Sequence, residues 1–320
     1  MAESIELWKK PESQELFMLV GWHQWADAGA VSSGLPQYLV DLMGAEPIGT
    51  MNPDGYYIFQ VPGTHDLVRP VVRFEQGYPK SLETPQNDFF YAGDDQKGVV
   101  IFIGDEPHLD IERYVAAILS VAKKLKVKRI VGLGGVYGEL PYDKERFVSA
   151  NYSLPRLKEE VTQLAVNLSD YRGGASIGSY VCRRAGDKGI EYVGLYAFVP
   201  SYDLSPMGQI GSVIRLENDY MAWLGVIRRV DYMLKLHLDL TDLEEKSRHL
   251  VKMMDAKVEE IEGEAPQLGL RQRIKEISAD FKEKPFIPLE DVWENELRRL
   301  MDKFDDDAEA DPSEDDLAKP

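Results

Sequence analysis

Four apolar runs in the chain end in clusters of polar and aromatic residues. These are Gly21-Trp22-His23-Gln24-Trp25-Ala26-Asp27, Gly104-Asp105-Glu106-Pro107-His108, the stretch from Gly134 to Glu139, and Pro200-Ser201-Tyr202-Asp203. If the runs are parallel strands, their carboxyl ends share one edge of a sheet, where α/β proteins place ligands. His23, Asp27, Glu106, His108, Gly134, Gly135, Tyr137 and Tyr202 would then meet there. That set is enough for a polar pocket. It does not form a recognisable reaction centre, because His23 and Asp27 also suit a helix-start hydrogen bond and His108 suits a cap.

The loop VGLGGVYGELP (131–141) poses a sharper question. Glycines after a strand let backbone amides approach a phosphate. The dinucleotide fingerprint needs glycine at the first, third and sixth positions, directly opening a helix. Counting from Gly132, Gly134 fits, but Tyr137 occupies the sixth position, and a strand-like RFVSAN follows instead of a helix. A glycine-lysine-serine or -threonine run is absent from the chain. The expectation is that Gly134 and Gly135 let the strand end bend sharply.

Nucleophile and metal patterns are equally weak. Ser176 and Ser179, in GGASIGS, come nearest to a nucleophile elbow but lack its frame. Cys182 has cationic neighbours, Arg183 and Arg184, yet a lone helical cysteine is ordinarily core. The five histidines are scattered without a close pair, so neither a metal nor a cofactor is expected.

The elements that would position these residues follow from periodicity. LFMLVGWHQW (16–25), GVVIFIGDEP (98–107), RIVGLGG (129–135) and IEYVGLYAFVP (190–200) read as buried strands. Helices are predicted over 28–45, ending at Gly44, and over 111–127, 154–168 and 179–189. Paired strands are expected in 48–61 and 66–75, and RFVSANYS (146–153) reads as a further strand. Alternation from 16 to about 200 predicts an α/β domain with a mostly parallel sheet and helices on both faces. The expected divisions are an α/β domain over 1–240, a C-terminal helical extension over 241–303, and a disordered acidic tail over 304–320.

Charge narrows the partners. The 320 residues carry a net charge of −18, and residues 302–320 hold nine acids against two lysines. Such a tail buries too little apolar surface to offset its ordering entropy. An acidic chain without a basic stripe is not expected to bind nucleic acid. No membrane span or signal-peptide core is visible, and the single cysteine suits a reducing compartment, so a cytoplasmic protein is expected.

Read in order, GWHQWADAGA, NPDGYYIFQV, GDEPHLD, LGGVYGELPY, SDYRGGASIG and LYAFVPSYDLSP resemble the proteasome assembly chaperone family. The likeness is to the bacterial and archaeal branch related to the second eukaryotic assembly chaperone, and it covers roughly residues 16–260. The resemblance implies a fold similar to purine nucleoside phosphorylases, C-terminal helices, homo-oligomers and a protein client such as a proteasome-like assembly. Some archaeal relatives dock through a penultimate tyrosine, whereas this sequence ends Leu317-Ala318-Lys319-Pro320. The expectation is therefore a non-enzymatic oligomeric chaperone or scaffold. The alternative is a small-molecule binder, or a hydrolase- or phosphorylase-like enzyme, with its site at the sheet edge. A trimer is favoured because residues 221–238 and 292–301 carry apolar side chains that a finished α/β domain does not need.

Overall fold

The computed structural model describes residues 5–61, 69–203 and 213–286. One compact unit spans Met1–Lys284 and a second Pro285–Pro320, and every element described below belongs to the first. The end of the expected helical extension, with its apolar stripe at 292–301, and the acidic tail lie outside the described residues.

The chain opens with β1 (Ile5–Leu7), β2 (Glu15–His23), a 3₁₀ turn at Ala28–Ala30 and α1 (Gly34–Met43). Gly44 ends α1 as expected, in the left-handed conformation at φ 59°. The helix predicted from residue 28 starts late, because Gly29 also adopts a positive φ and interrupts it. Then come β3 (Glu46–Met51), β4 (Val71–Glu75), β5 (Tyr78–Glu83), β6 (Asn87–Gly93), β7 (Lys97–Asp105) and α2 (Ile111–Lys124). Of the strand expected in 48–61, only the start is strand, as part of β3, and 52–60 is largely a turn around Pro53-Asp54-Gly55.

β8 (Arg129–Gly138) and β9 (Val148–Tyr152) precede α3 (Lys158–Thr162) and β10 (Asn167–Leu168). The helix predicted over 154–168 is therefore cut to five residues, and its remainder peels away to pair with β9. α4 (Ile177–Asp187), β11 (Tyr192–Asp203), β12 (Val213–Arg215), α5 (Tyr220–Leu234), α6 (Thr241–Glu264) and α7 (Leu270–Asp280) complete the unit.

The main sheet runs in the order β1-β3-β6-β7-β2-β8-β11-β9-β10, with β12 on β11. Its four central strands, β7, β2, β8 and β11, are parallel. β6, β3 and β1 on one flank and β9 on the other run antiparallel to their inner neighbours. The fold is thus α/β, with a parallel centre inside a mixed sheet. Burial of the central strands on both faces explains their near-continuous apolar runs.

Met18, Val20, Trp22, Val100 and Phe102 point to one face and pack with Tyr114, Ile118, Val181 and Ala185 of α2 and α4. The opposite face is covered by α1 and α5. α6 lies along α5 and buries Leu243, Leu250, Met254 and Val258, a single stripe at helical spacing. Trp223, Leu224, Val226 and Ile227 are consequently buried within this chain. The apolar surface of α5 that sequence reserves for a neighbouring copy is covered by the chain's own sheet and α6.

Candidate functional site

β2, β7, β8 and β11 end at His23, Asp105, Gly138 and Asp203, so the expected edge exists. Of the eight sequence-predicted residues, five come together and three lie apart.

Asp27, Gly134, Gly135, Glu106 and His23 cluster where the β2–α1 loop crosses β8. Asp27 Oδ1 accepts from the amides of Ser32 at 2.8 Å and Ser33 at 2.9 Å, and Oδ2 accepts from the Ser33 hydroxyl at 2.7 Å. Burial raises its pKa, and these hydrogen bonds pull it partly back. Asp27 therefore folds the loop rather than presenting a free carboxylate. Glu106 Oε1 accepts from the Ile177 amide at 2.8 Å, fastening the end of β7 to the start of α4. Its pKa is also raised by burial, opposed by the amides of Ile177 and Trp25. His23 is exposed and lines a narrow cleft with Trp22, Trp25 and Glu106.

Gly134 and Gly135 do not turn a corner, because β8 continues through them to Gly138 and neither has a positive φ. They are glycines because of what approaches them. A Cβ at Gly135 would stand 2.1 Å from the Ala28 carbonyl oxygen, and one at Gly134 would stand 2.5 Å from the Tyr196 ring. The Gly135 amide donates to Ala26 at 2.8 Å, sealing the contact. These amides are spent on the protein's own backbone, and no helix begins after the loop, so it is not a phosphate cradle.

The other three predicted residues lie elsewhere. His108 Nδ1 accepts from the Ile58 amide at 3.3 Å, and its ring stands edge-on to Tyr57. Tyr202 is buried and donates to the Leu140 carbonyl at 2.7 Å. Tyr137 is exposed beneath the Arg215 guanidinium, 5.0 Å away. They pin loops and do not join a common site.

The cavity itself lies beside this cluster, on the face of β8, β11 and β9 just beyond the start of α4. It encloses about 370 Å³ and is lined by Trp25, Ser149, Asn151, Ser176, Ser179 and Tyr196, with the 167–174 segment as its outer wall. The Ser176 hydroxyl caps α4 by accepting from the Ser179 amide at 3.2 Å and donates to Ser179 Oγ at 3.1 Å. Ser179 Oγ lies 3.4 Å from the Tyr196 hydroxyl, giving a run of three hydroxyls. Among the described residues no histidine lines the cavity, and the Ser176 and Ser179 hydroxyls hydrogen-bond to each other, to the Ser179 amide and to Tyr196. Cys182 is buried and its pKa is pushed up to about 12, which removes it as a thiolate.

Sequence reasoning reached Ser176 and Ser179 only as poor nucleophiles and passed over Ser149, Asn151 and Tyr196. The available signal was that Tyr196 and Gly134 belong to adjacent strands of similar length. Among the described residues there is no group of three metal-ligating side chains, and no helix long and apolar enough to cross a membrane.

The fold is a mixed α/β sheet with helices on both faces and a side cavity at its carboxyl edge. The chain belongs to the PAC2 family, whose model matches residues 22–258. Among solved structures it is similar to a proteasome-assembly chaperone homologue of Mycobacterium tuberculosis, at 22% identity and a TM-score of 0.64, covering 75% of this chain and 94% of that one. A Corynebacterium glutamicum protein of unknown function matches at 20% identity and a TM-score of 0.69, covering 86% of this chain and 95% of that one. PbaB, an archaeal proteasome activator from Pyrococcus furiosus, matches at 18% identity and a TM-score of 0.56, covering 81% of this chain and all 100% of its own. Among curated proteins, no sequence matches the chain.

Proposed function

We propose that this protein is a non-enzymatic, homo-oligomeric scaffold of the assembly-chaperone type, with a trimer as the favoured form and a proteasome-like protein assembly as client. Family membership and the names of two neighbours support the class. In this reading the helices from Thr241 onward extend a 1–240 domain, and the protein acts in the cytoplasm.

One observation carries the scaffold reading. The β4–β5 hairpin stands apart as a two-stranded sheet, exposed at every residue. Phe74 is 64% exposed, Tyr78 72% and Leu82 62%, and Val71 and Val72 are uncovered on opposite faces. A lone two-stranded ribbon is marginal in water and exposes unpaired backbone at its edges. Its four charges cancel, and Arg73 pairs with Glu83 at 3.1 Å. On a chain of net charge −18, this neutral, apolar ribbon is the place where like-charged copies approach with least repulsion.

Light scattering tests the oligomer. The expected mass at micromolar concentration is that of three chains, falling toward one chain in the double variant Phe74→Ser, Leu82→Ser. A wild-type mass of one chain would overturn the reading. Co-purification of tagged wild-type protein with proteasome α-subunits, reduced in the double variant, tests the client.

A further inference from the structure

The cavity beside α4 is not needed by a scaffold, and its lining selects a ligand chemistry. None of the side chains lining its inner wall is a lysine or an arginine, although Arg172 belongs to the outer 167–174 segment and Lys284 Nζ donates to Asn167 Oδ1 at 2.9 Å, so an anion reaching the interior meets no cation. Asp170 stands in the outer wall, and the Glu106 carboxyl lines the adjoining cleft, which shares Trp25, Ser176 and Tyr196 with the cavity. Both carboxyls repel anions. The inner wall instead offers hydroxyls, at Ser149, Ser176, Ser179 and Tyr196, each able to donate and to accept.

The mouth differs from the inner wall. Trp25 is 69% exposed and Tyr171 71%, and both line the same opening. A ring of Trp25 lies within 3.8 Å of the position a Cβ would take on Gly174, so the indole rests against the loop that carries Tyr171. Aromatic side chains left this wet in a monomer present flat apolar faces for stacking. At about 370 Å³ the cavity falls in the size range of pockets that enclose small ligands.

We infer that this cavity is a binding site for a small uncharged molecule that joins a hydroxyl-bearing ring to a flat aromatic group. The hydroxylated ring meets the serines and Tyr196 inside, and the flat group stacks at the mouth on Trp25 and Tyr171. Nucleosides and aryl glycosides share this chemistry. Their anionic derivatives are disfavoured by Asp170 and by an inner wall that holds no cation.

Binding is read on the full chain by tryptophan fluorescence and by thermal shift, with adenosine, phenyl glucoside and adenosine monophosphate as probes. One of the two neutral probes is expected to give a saturable fluorescence change and a higher melting temperature, and which one does so identifies the flat group as heteroaromatic or aryl. Adenosine monophosphate is expected to bind at least about tenfold more weakly than the better neutral probe. Ser149→Phe, which fills the cavity, should abolish binding, whereas Ser149→Ala should retain it. Trp25→Ala changes an exposed residue, leaves the fold intact, and should weaken binding about tenfold. If Ser149→Phe fails to fold, Trp25→Ala decides. Failure of both neutral probes, equal binding of the monophosphate, or undiminished binding in folded Ser149→Phe or in Trp25→Ala would overturn the assignment. None of these outcomes bears on the mass of the oligomer, so the scaffold reading stands or falls separately.

Discussion

The strand β7, KGVVIFIGD, and the hairpin strand β4, VVRFE, are both built from β-branched and aromatic residues, yet they meet opposite fates. β7 is buried from Gly98 to Gly104, with parallel β2 on one side and antiparallel β6 on the other. β4 is exposed throughout and, among the described residues, pairs with β5 alone. A run of Val, Ile and Phe announces a strand in either setting. What covers the strand is decided by its neighbours, and among the described residues β4 has β5 alone. The difference separates two settings of apolar sequence: inside a core, and in an exposed two-stranded ribbon.

The largest expected effect lies on the closed side. Arg146 and Asp219 are both wholly buried and pair at 2.7 Å, and Asp219 also caps α5 by accepting from the amides of Met221 and Ala222. Arg146 additionally donates to the carbonyls of Pro141, Tyr142 and Lys144. Asp219→Ala strands a buried guanidinium and should cost about 3–5 kcal/mol in denaturant unfolding. A loss below about 1 kcal/mol would show that the pair is dispensable.

Next comes Gly135→Ala, which drives a methyl group into the Ala28 carbonyl. The same measurement should show a loss of about 1–3 kcal/mol. Gly134→Ala has only the Tyr196 ring to displace, so its cost should be smaller and its effect on the cavity larger. Equal costs for the two would contradict the assignment of backbone contact to one glycine and side-chain contact to the other.

On the open side, Phe74→Ser with Leu82→Ser should change the unfolding free energy of the separated chain by no more than about 0.5 kcal/mol, while altering the mass by light scattering. A large stability loss without a mass change would place the hairpin in the core group instead.

The smallest effect concerns pH. Burial raises the Glu106 pKa above its ordinary 4.5, so the folded chain holds that proton more tightly than the unfolded one. The group therefore favours folding most below 4.5, and this contribution is lost as pH rises from 4.5 through the folded value. Glu106→Gln should remove that slope, so its stability relative to wild type should climb with pH across the window. A flat difference between the two curves would rule out the assigned environment.

The buried strands, the start of α2 at Ile111 and the stop of α1 at Gly44 were legible because each rests on local chemistry: apolar runs, helical spacing and a left-handed cap. β6 was overlooked, although NDFFYAG carries the aromatic pattern of a strand, because its sequence does not say which partner it pairs with. The 154–168 segment read as a helix on its own periodicity, and pairing of Asn167 and Leu168 with β9 overrode it. The arrangement around the candidate residues was equally hard to read locally. Sequence located the carboxyl edge and placed Asp27 and Glu106 on it, but the edge is filled by loops that Asp27, His108 and Tyr202 hold in place. The cavity opens where β10 draws the chain away from α4, and that pairing is not written in any local pattern.

The contacts around Asp219 join segments far apart in the chain. The Asp219 amide donates to the Gly29 carbonyl at 3.0 Å, the Trp223 indole donates to the same oxygen at 2.8 Å, and Arg146 arrives from the loop before β9. Bringing residues 29, 146 and 219 together requires the intervening strands to be in register first, so this junction closes late on the folding route. Interactions absent from the transition state act on escape from the native state rather than on arrival. The Arg146–Asp219 pair therefore works chiefly as a latch on unfolding: its removal should steepen the loss of native protein with time, and leave the refolding rate nearly untouched.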